Sequence, residues 1–175
     1  MIQKVMDKFK IRSVTNLILY HGSNVLVDEP KILESKKGLD FGSGFYLTSS
    51  YEQAERWAQL KTERLEKGKA IVSVFEINDD KLSSLKTITY PKADRSWLGM
   101  IVQNRRNPSY NSGYDVMIGP VADDDTVLTL KLYFRNAFTE EETLRRLLPQ
   151  KLKDQYAFKT ENSLSDLKFL RGDVI

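Results

Sequence analysis

The sequence has no cysteine and a single histidine in its 175 residues. The first absence excludes a disulfide-stapled scaffold, a cysteine nucleophile, an iron–sulfur cluster and every thiolate zinc site. The second excludes multi-histidine metal centres, and no other metal cluster is expected. Chemistry that needs an imidazole has to run through His21. Long apolar runs are also missing. LILY at 17–20 and IVSVF at 71–75 fall far short of the ~20 residues that span a bilayer, so no membrane role is expected. The opening MIQKVMDKFKIRSV is charged every few residues and lacks the apolar segment of a secretory signal, which makes the cytoplasm the expected location. Charge of one sign is scarce too: 27 Lys and Arg against 24 Asp and Glu leave a net +3, too little to argue for a polyanionic partner.

What is present suits one globular domain. The chain is 41% hydrophobic and 29% charged, with no repeat and no low-complexity tract. A chain of this length buries roughly 70% of its unfolded surface. Residues 1–16 read as an N-terminal extension and 17–175 as the domain. LILY reads as a buried strand leading into His21 and Gly22, and 24–40 as a loop punctuated by Pro30 and Gly38. A glycine-bracketed turn then runs into a short strand at 45–48. Ser49 or Ser50 can cap a helix over 51–66, with Ala54, Trp57, Ala58, Leu60 and Leu65 as its apolar face and Gly68 marking its end. Residues 70–77 read as a central strand, and 85–90 as a second one stopped by Pro91. A helix is expected over 94–105, with Trp97, Met100 and Ile101 on one side, and a strand at 114–119. Asp123 to Asp125 open a helix to about 135, and Thr139 caps another over 140–148. QYAF at 155–158 reads as the last strand, before a short closing helix carrying Leu164, Leu167 and Leu170. Strands and helices mix without βαβ alternation, so the fold class is α+β.

Several residues invite a chemical reading, each with a plain structural alternative. His21 ends an apolar strand and precedes Gly-Ser, where glycine lets a ligand approach the backbone; a histidine there can equally be structural. Tyr46 follows Gly42 and Gly44, a pair too short for a dinucleotide fingerprint. By strand alternation Phe45 and Tyr46 face opposite sides, so one can be core while the other lines a cleft and offers a π face. The runs Asp123–Asp125 and Glu140–Glu142 read as helix-start charges rather than metal ligands. The basic pairs Arg105/Arg106, Arg145/Arg146 and Lys151/Lys153 read as solvated surface.

Taken in order, YHGS (20–23), GFYLTSS (44–50) and DQYAF (154–158) resemble the ADP-ribosyltransferase superfamily, on the side of diphtheria toxin and the poly-ADP-ribose polymerases. More closely, YHGS, DFGxGFYLT (40–48), QAxxWA (53–58), YDxxIGPxADD (114–124) and QYxFxT (155–160) resemble an uncharacterised bacterial family placed in that superfamily. The likeness extends over nearly the whole chain from about residue 17. It implies a split mixed β-sheet with flanking helices, and NAD as the substrate rather than a resident cofactor. It also implies mono-ADP-ribosyl transfer to a protein or nucleic-acid acceptor, in the manner of a toxin-type effector with a small neutralising partner protein. By the same likeness His21 bonds the adenosine ribose, Gly22 and Ser23 meet the ligand, Tyr46 stacks on nicotinamide, and Ser49 supports the Tyr46 strand. The catalytic position, a glutamate in the superfamily, is Gln155 here. An amide accepts a ribose hydroxyl but carries no charge, so chain elongation is not expected, and a non-catalytic module binding NAD or ADP-ribose is the alternative. Glu161 is a candidate substitute.

Overall fold

The computed structural model describes residues 15–34, 38–122, 124–148 and 152–175. Most of the expected extension therefore lies outside the described residues. Its last two residues join the domain: Asp79 N donates to Thr15 O, and strand β1 (Asn16–Ser23) opens at Asn16.

Period-two patterning builds two sheets. In the first, β1, β3 (Ile71–Asn78) and β7 (Lys168–Val174) run antiparallel in the order β1-β3-β7. The second has the order β2-β6-β5-β4, from β2 (Phe45–Leu47), β6 (Asp154–Phe158), β5 (Val116–Pro120) and β4 (Thr87–Thr89). Only the β4–β5 pair is parallel. Leu19, Phe75 and Ile77 of the first sheet meet Phe45, Leu47, Val116 and Phe158 of the second in one buried cluster. The opposite face of the first sheet, with Val72 and Val74, packs on Ala54 of helix α1 (Tyr51–Leu65). The opposite face of the second sheet, with Met117 and Ala157, packs on Trp97 and Ile101 of α3 (Arg95–Arg106), Leu130 of α4 (Asp124–Phe134) and Leu147 of α5 (Glu140–Leu147). The mixed α+β class holds.

Local chemistry sets the helix ends. Ser50 accepts from Gln53 N at the start of α1, Asp94 from Trp97 N at α3 and Thr139 from Glu142 N at α5, each cap worth about 1 kcal/mol. A short helix α2 (Asp79–Ser84), capped by Asn78, occupies a stretch that carries no expected element. Asp123 lies outside the described residues, and α4 begins at Asp124.

Two expectations need correction. Leu60 and Leu65 do not belong to a buried helix face; they are 48% and 50% exposed. The chain also does not close on a helix. A one-turn α6 (Glu161–Leu164) buries Leu164, Leu167 follows it into the inter-sheet core, and then β7 begins. The three-residue spacing of Leu164, Leu167 and Leu170 imitates a helix, but pairing with β3 decides the outcome, and Phe169 meets Phe75 edge-on at 5.7 Å.

The YHGS strand is longer than its apolar run: His21, Gly22 and Ser23 all pair with β3. At Gly22 an added Cβ would stand 1.9 Å from Ala54 O of α1, so the glycine is required by the helix lying against the strand. Gly22→Ala is expected to lower the unfolding free energy by about 2–3 kcal/mol in urea titration, since α1 has to lift off the sheet. An unchanged midpoint would show that the helix yields freely.

Candidate functional site

The two sheets touch along β1 and β2, and they part at the residues singled out in the sequence. Tyr20 and Thr48 exchange both backbone hydrogen bonds, 2.9 and 3.0 Å, as an isolated bridge. Backbone groups alternate along a strand, so those of Gly22 point the same way as those of Tyr20. No bridge between Gly22 and Tyr46 continues the ladder; instead His21 Nδ1 lies 2.7 Å from Tyr46 O. A carbonyl only accepts, so Nδ1 carries the proton and Nε2 is left as an acceptor. The backbone groups of Gly22 stand at the open edge where the strands diverge.

This edge opens into a cavity of about 520 Å³, lined among others by His21, Gly22, Tyr46, Trp57 and Gln155. Burial holds the His21 imidazole down to about pKa 4, outweighing the opposing pull of the Tyr46 carbonyl, and the nearby Lys61 charge adds to the effect. The ring is therefore neutral at pH 7, stacked on Phe45 at 4.5 Å. Alternation along β2 resolves as expected: Phe45 enters the inter-sheet core and Tyr46 lines the cavity. The Tyr46 hydroxyl donates to Gly42 O (2.6 Å) and accepts from Phe41 N (3.1 Å), which fixes its ring. Burial and the Asp40 carboxylate push its phenol far above the usual range.

The turn that grips Tyr46 is itself pinned. Gly42 has φ +77°, and a Cβ there would meet Asn104 Oδ1 at 2.6 Å. Lys159 Nζ donates to Phe41 O and Ser43 O, and its burial lowers its pKa to about 8. Asp40, at the start of the turn, is buried and saturated: one oxygen takes Arg105, and the other takes Ala122 N (3.0 Å) and Gln155 Nε2 (2.9 Å). Gln155 Nε2 also donates to Pro120 O at 3.1 Å. Both of its neighbours are pure acceptors, so the amide nitrogen must face them, and Gln155 can offer a ligand only its Oε1.

Other candidates fall elsewhere. Ser23 is buried beside the cavity and accepts from Lys61 Nζ at 3.1 Å. Ser49 lies outside the cavity, where its hydroxyl and amide bind Asp154 at 2.5 and 2.9 Å, tying the end of β2 to β6. Glu161 is exposed in the first turn of α6 and does not line the cavity. Arg105 corrects the surface reading of the basic pairs: it is half-buried, paired to Asp40 and part of the cavity wall. Asp40 and Trp57 lie in the DFGxGFYLT and QAxxWA motifs without an expected role at the site, and Lys61 and Arg64 carry no expectation at all; all four line the cavity. A signal was available for three of them. Trp57, Lys61 and Arg64 sit at i, i+4 and i+7, a single helical stripe. Among the described residues no cluster of acidic and histidine side chains suits a metal ion, and no helix is long and apolar enough to cross a membrane.

The single histidine gives a clean readout. Its NMR titration is expected to show a pKa near 4. Between pH 6.5 and 4 the unfolded chain takes up a proton that the native ring refuses, so stability falls as pH drops through that window. The loss is up to about 3 kcal/mol and absent from His21→Gln. A titration near 6.5 would contradict the buried, carbonyl-bound ring. Gln155→Glu is expected to cost about 2–4 kcal/mol in urea unfolding at pH 7, because it sets a second carboxylate against Asp40. The cost should shrink in an Asp40→Asn background; equal costs would mean that the two side chains are uncoupled.

No curated protein matches the chain by sequence. A family model described as "Protein of unknown function (DUF3990)" matches residues 17–169, a span that includes every cavity residue named above. By that match the chain belongs to the DUF3990 family, whose function is unknown.

Proposed function

We propose that the protein is a mono-ADP-ribosyltransferase that uses NAD as substrate and modifies a protein or nucleic-acid acceptor. The observation that carries the reading is the convergence of His21, Gly22, Tyr46 and Gln155, from β1, β2 and β6, on one cavity. The split between the sheets agrees with an ADP-ribosyltransferase-like core.

Each group has a task that its surroundings suit. The unpaired edge of Gly22 offers a donor and an acceptor to the nicotinamide carboxamide. The Tyr46 ring, held by its hydroxyl, offers a π face to the cationic nicotinamide, worth ~0.5–2 kcal/mol. His21 Nε2 accepts from a ribose hydroxyl without competing charge, and Gln155 Oε1 accepts from the 2′-hydroxyl of the nicotinamide ribose. Cleavage of the C–N glycosidic bond sends the electron pair to the departing nicotinamide. The ribosyl cation left behind is then attacked by the acceptor, whose proton is lost to solvent or to a base it supplies itself.

Gln155 lacks the full charge of the superfamily glutamate, a deficit on the order of 3–4 kcal/mol in a charge-developing step. Asp40 stands 2.9 Å behind the amide nitrogen, and a carboxylate accepting that N–H polarises the amide and strengthens Oε1 as an acceptor. That polarisation offsets part of the deficit, the Asp40 charge itself being paired with Arg105. A second reading, a module that binds NAD or ADP-ribose without turnover, is favoured by the same neutral amide. A toxin-type role and a small neutralising partner belong to the proposal as its biological setting.

Incubation with labelled NAD and cell lysate is expected to release nicotinamide and to label a macromolecule. His21→Ala and Tyr46→Ala, checked by circular dichroism, should abolish both. NAD binding by calorimetry with no nicotinamide released would leave the binding module, and no binding at all would remove both readings.

A further inference from the structure

The cavity is one of two chambers. A second, of about 330 Å³, adjoins it, and His21 and Lys61 line both. Those two side chains therefore form a waist between the chambers. Lys61 comes from α1, and Arg64, one turn further along the same face, lines the larger chamber. Most charge around the chambers is compensated or mixed. Arg105 is taken by Asp40, and the second chamber carries Asp28 and Glu29 beside Lys31. The α1 wall is different. Among the described residues no carboxylate pairs with Lys61 or Arg64, and the Lys61 ammonium donates to the neutral Ser23 hydroxyl. Burial and the Arg64 charge both work against the Lys61 cation, in that order.

Lys61, half-buried at the waist, and Arg64, exposed one turn further on along the wall of the larger chamber, are two like charges without a carboxylate partner, a receptor for a doubly charged anion. We propose that Lys61 and Arg64 form a diphosphate subsite, which holds the bridge of a dinucleotide whose two nucleoside halves occupy the two chambers. The inference rests on the NAD reading for the identity of those halves. Arg64 supplies a planar fork suited to two phosphate oxygens, and Lys61 a compact charge on the other side of the bridge. The half beside Tyr46 and Gln155 is the one that reacts. The other half meets Phe45 and the apolar edge of Leu26 and Leu33, which stand 48% and 64% exposed.

Calorimetry with ADP-ribose tests this, because ADP-ribose keeps the diphosphate and lacks the nicotinamide. The wild-type protein is expected to bind it with an affinity that falls as salt rises. Lys61→Gln and Arg64→Gln should each weaken binding about tenfold, and the double variant should flatten the salt dependence; Lys61→Arg should retain most of the affinity. Adenosine, without phosphate, should bind all variants alike. Equal ADP-ribose affinity in wild type and double variant overturns the subsite, even if NAD is turned over. Cation-dependent ADP-ribose binding without NAD turnover supports the subsite and removes the transferase. Failure of the wild type to bind ADP-ribose overturns the subsite as well.

Discussion

The parting of β1 from β2 governs the rest of the molecule. One backbone pair, Tyr20 with Thr48, joins the two sheets, and the next rung is replaced by a side chain: His21 donates to the Tyr46 carbonyl. The rung it replaces would have carried two backbone hydrogen bonds and the imidazole supplies one, so the Tyr46 carbonyl stays satisfied while the strands diverge. It leaves an open backbone edge at Gly22 inside a cavity, where two continuous strands would have closed it. It also fixes the tautomer of the only histidine, so the nitrogen facing outward can only accept.

The polar arrangement around this opening is costly unless complete, because a buried charge without partners destabilises a fold by several kcal/mol. It is complete at Asp40. Its two oxygens are shared among Arg105, Ala122 N and Gln155, and the turn it begins holds the Tyr46 hydroxyl by two further bonds. Tyr46 and Gln155 are therefore positioned by one short segment, 40–42, although they come from different strands. The turn is in turn held from β6's end by Lys159, so the sheet and the loop fix each other.

Much of this was legible in the sequence, and the failures have physical causes. The strands at 45–48, 70–77, 114–119 and 155–158 follow from β-branched and aromatic runs, and the caps of α1 and α5 from a serine and a threonine at the right offset. His21, Tyr46 and Gln155 were nameable because ordered motifs carry them. β7 is not legible, since its partner β3 lies roughly a hundred residues earlier and the local spacing of leucines suggests a helix. Arg105 looked like surface because its charge is neutralised by Asp40, a partner that only folding brings within reach. In the sequence Gly22 reads as room for a ligand, whereas its missing Cβ makes room for the α1 backbone. The ligand-facing part of Gly22 is its peptide edge.

The proposed role of this opening is to hold NAD, and a crystal structure of the protein with NAD bound tests it most directly. The nicotinamide is expected on the Tyr46 ring, its carboxamide on the Gly22 backbone and its ribose against Gln155 Oε1. NAD bound elsewhere on the surface, with Gly22 and Tyr46 untouched, would contradict it.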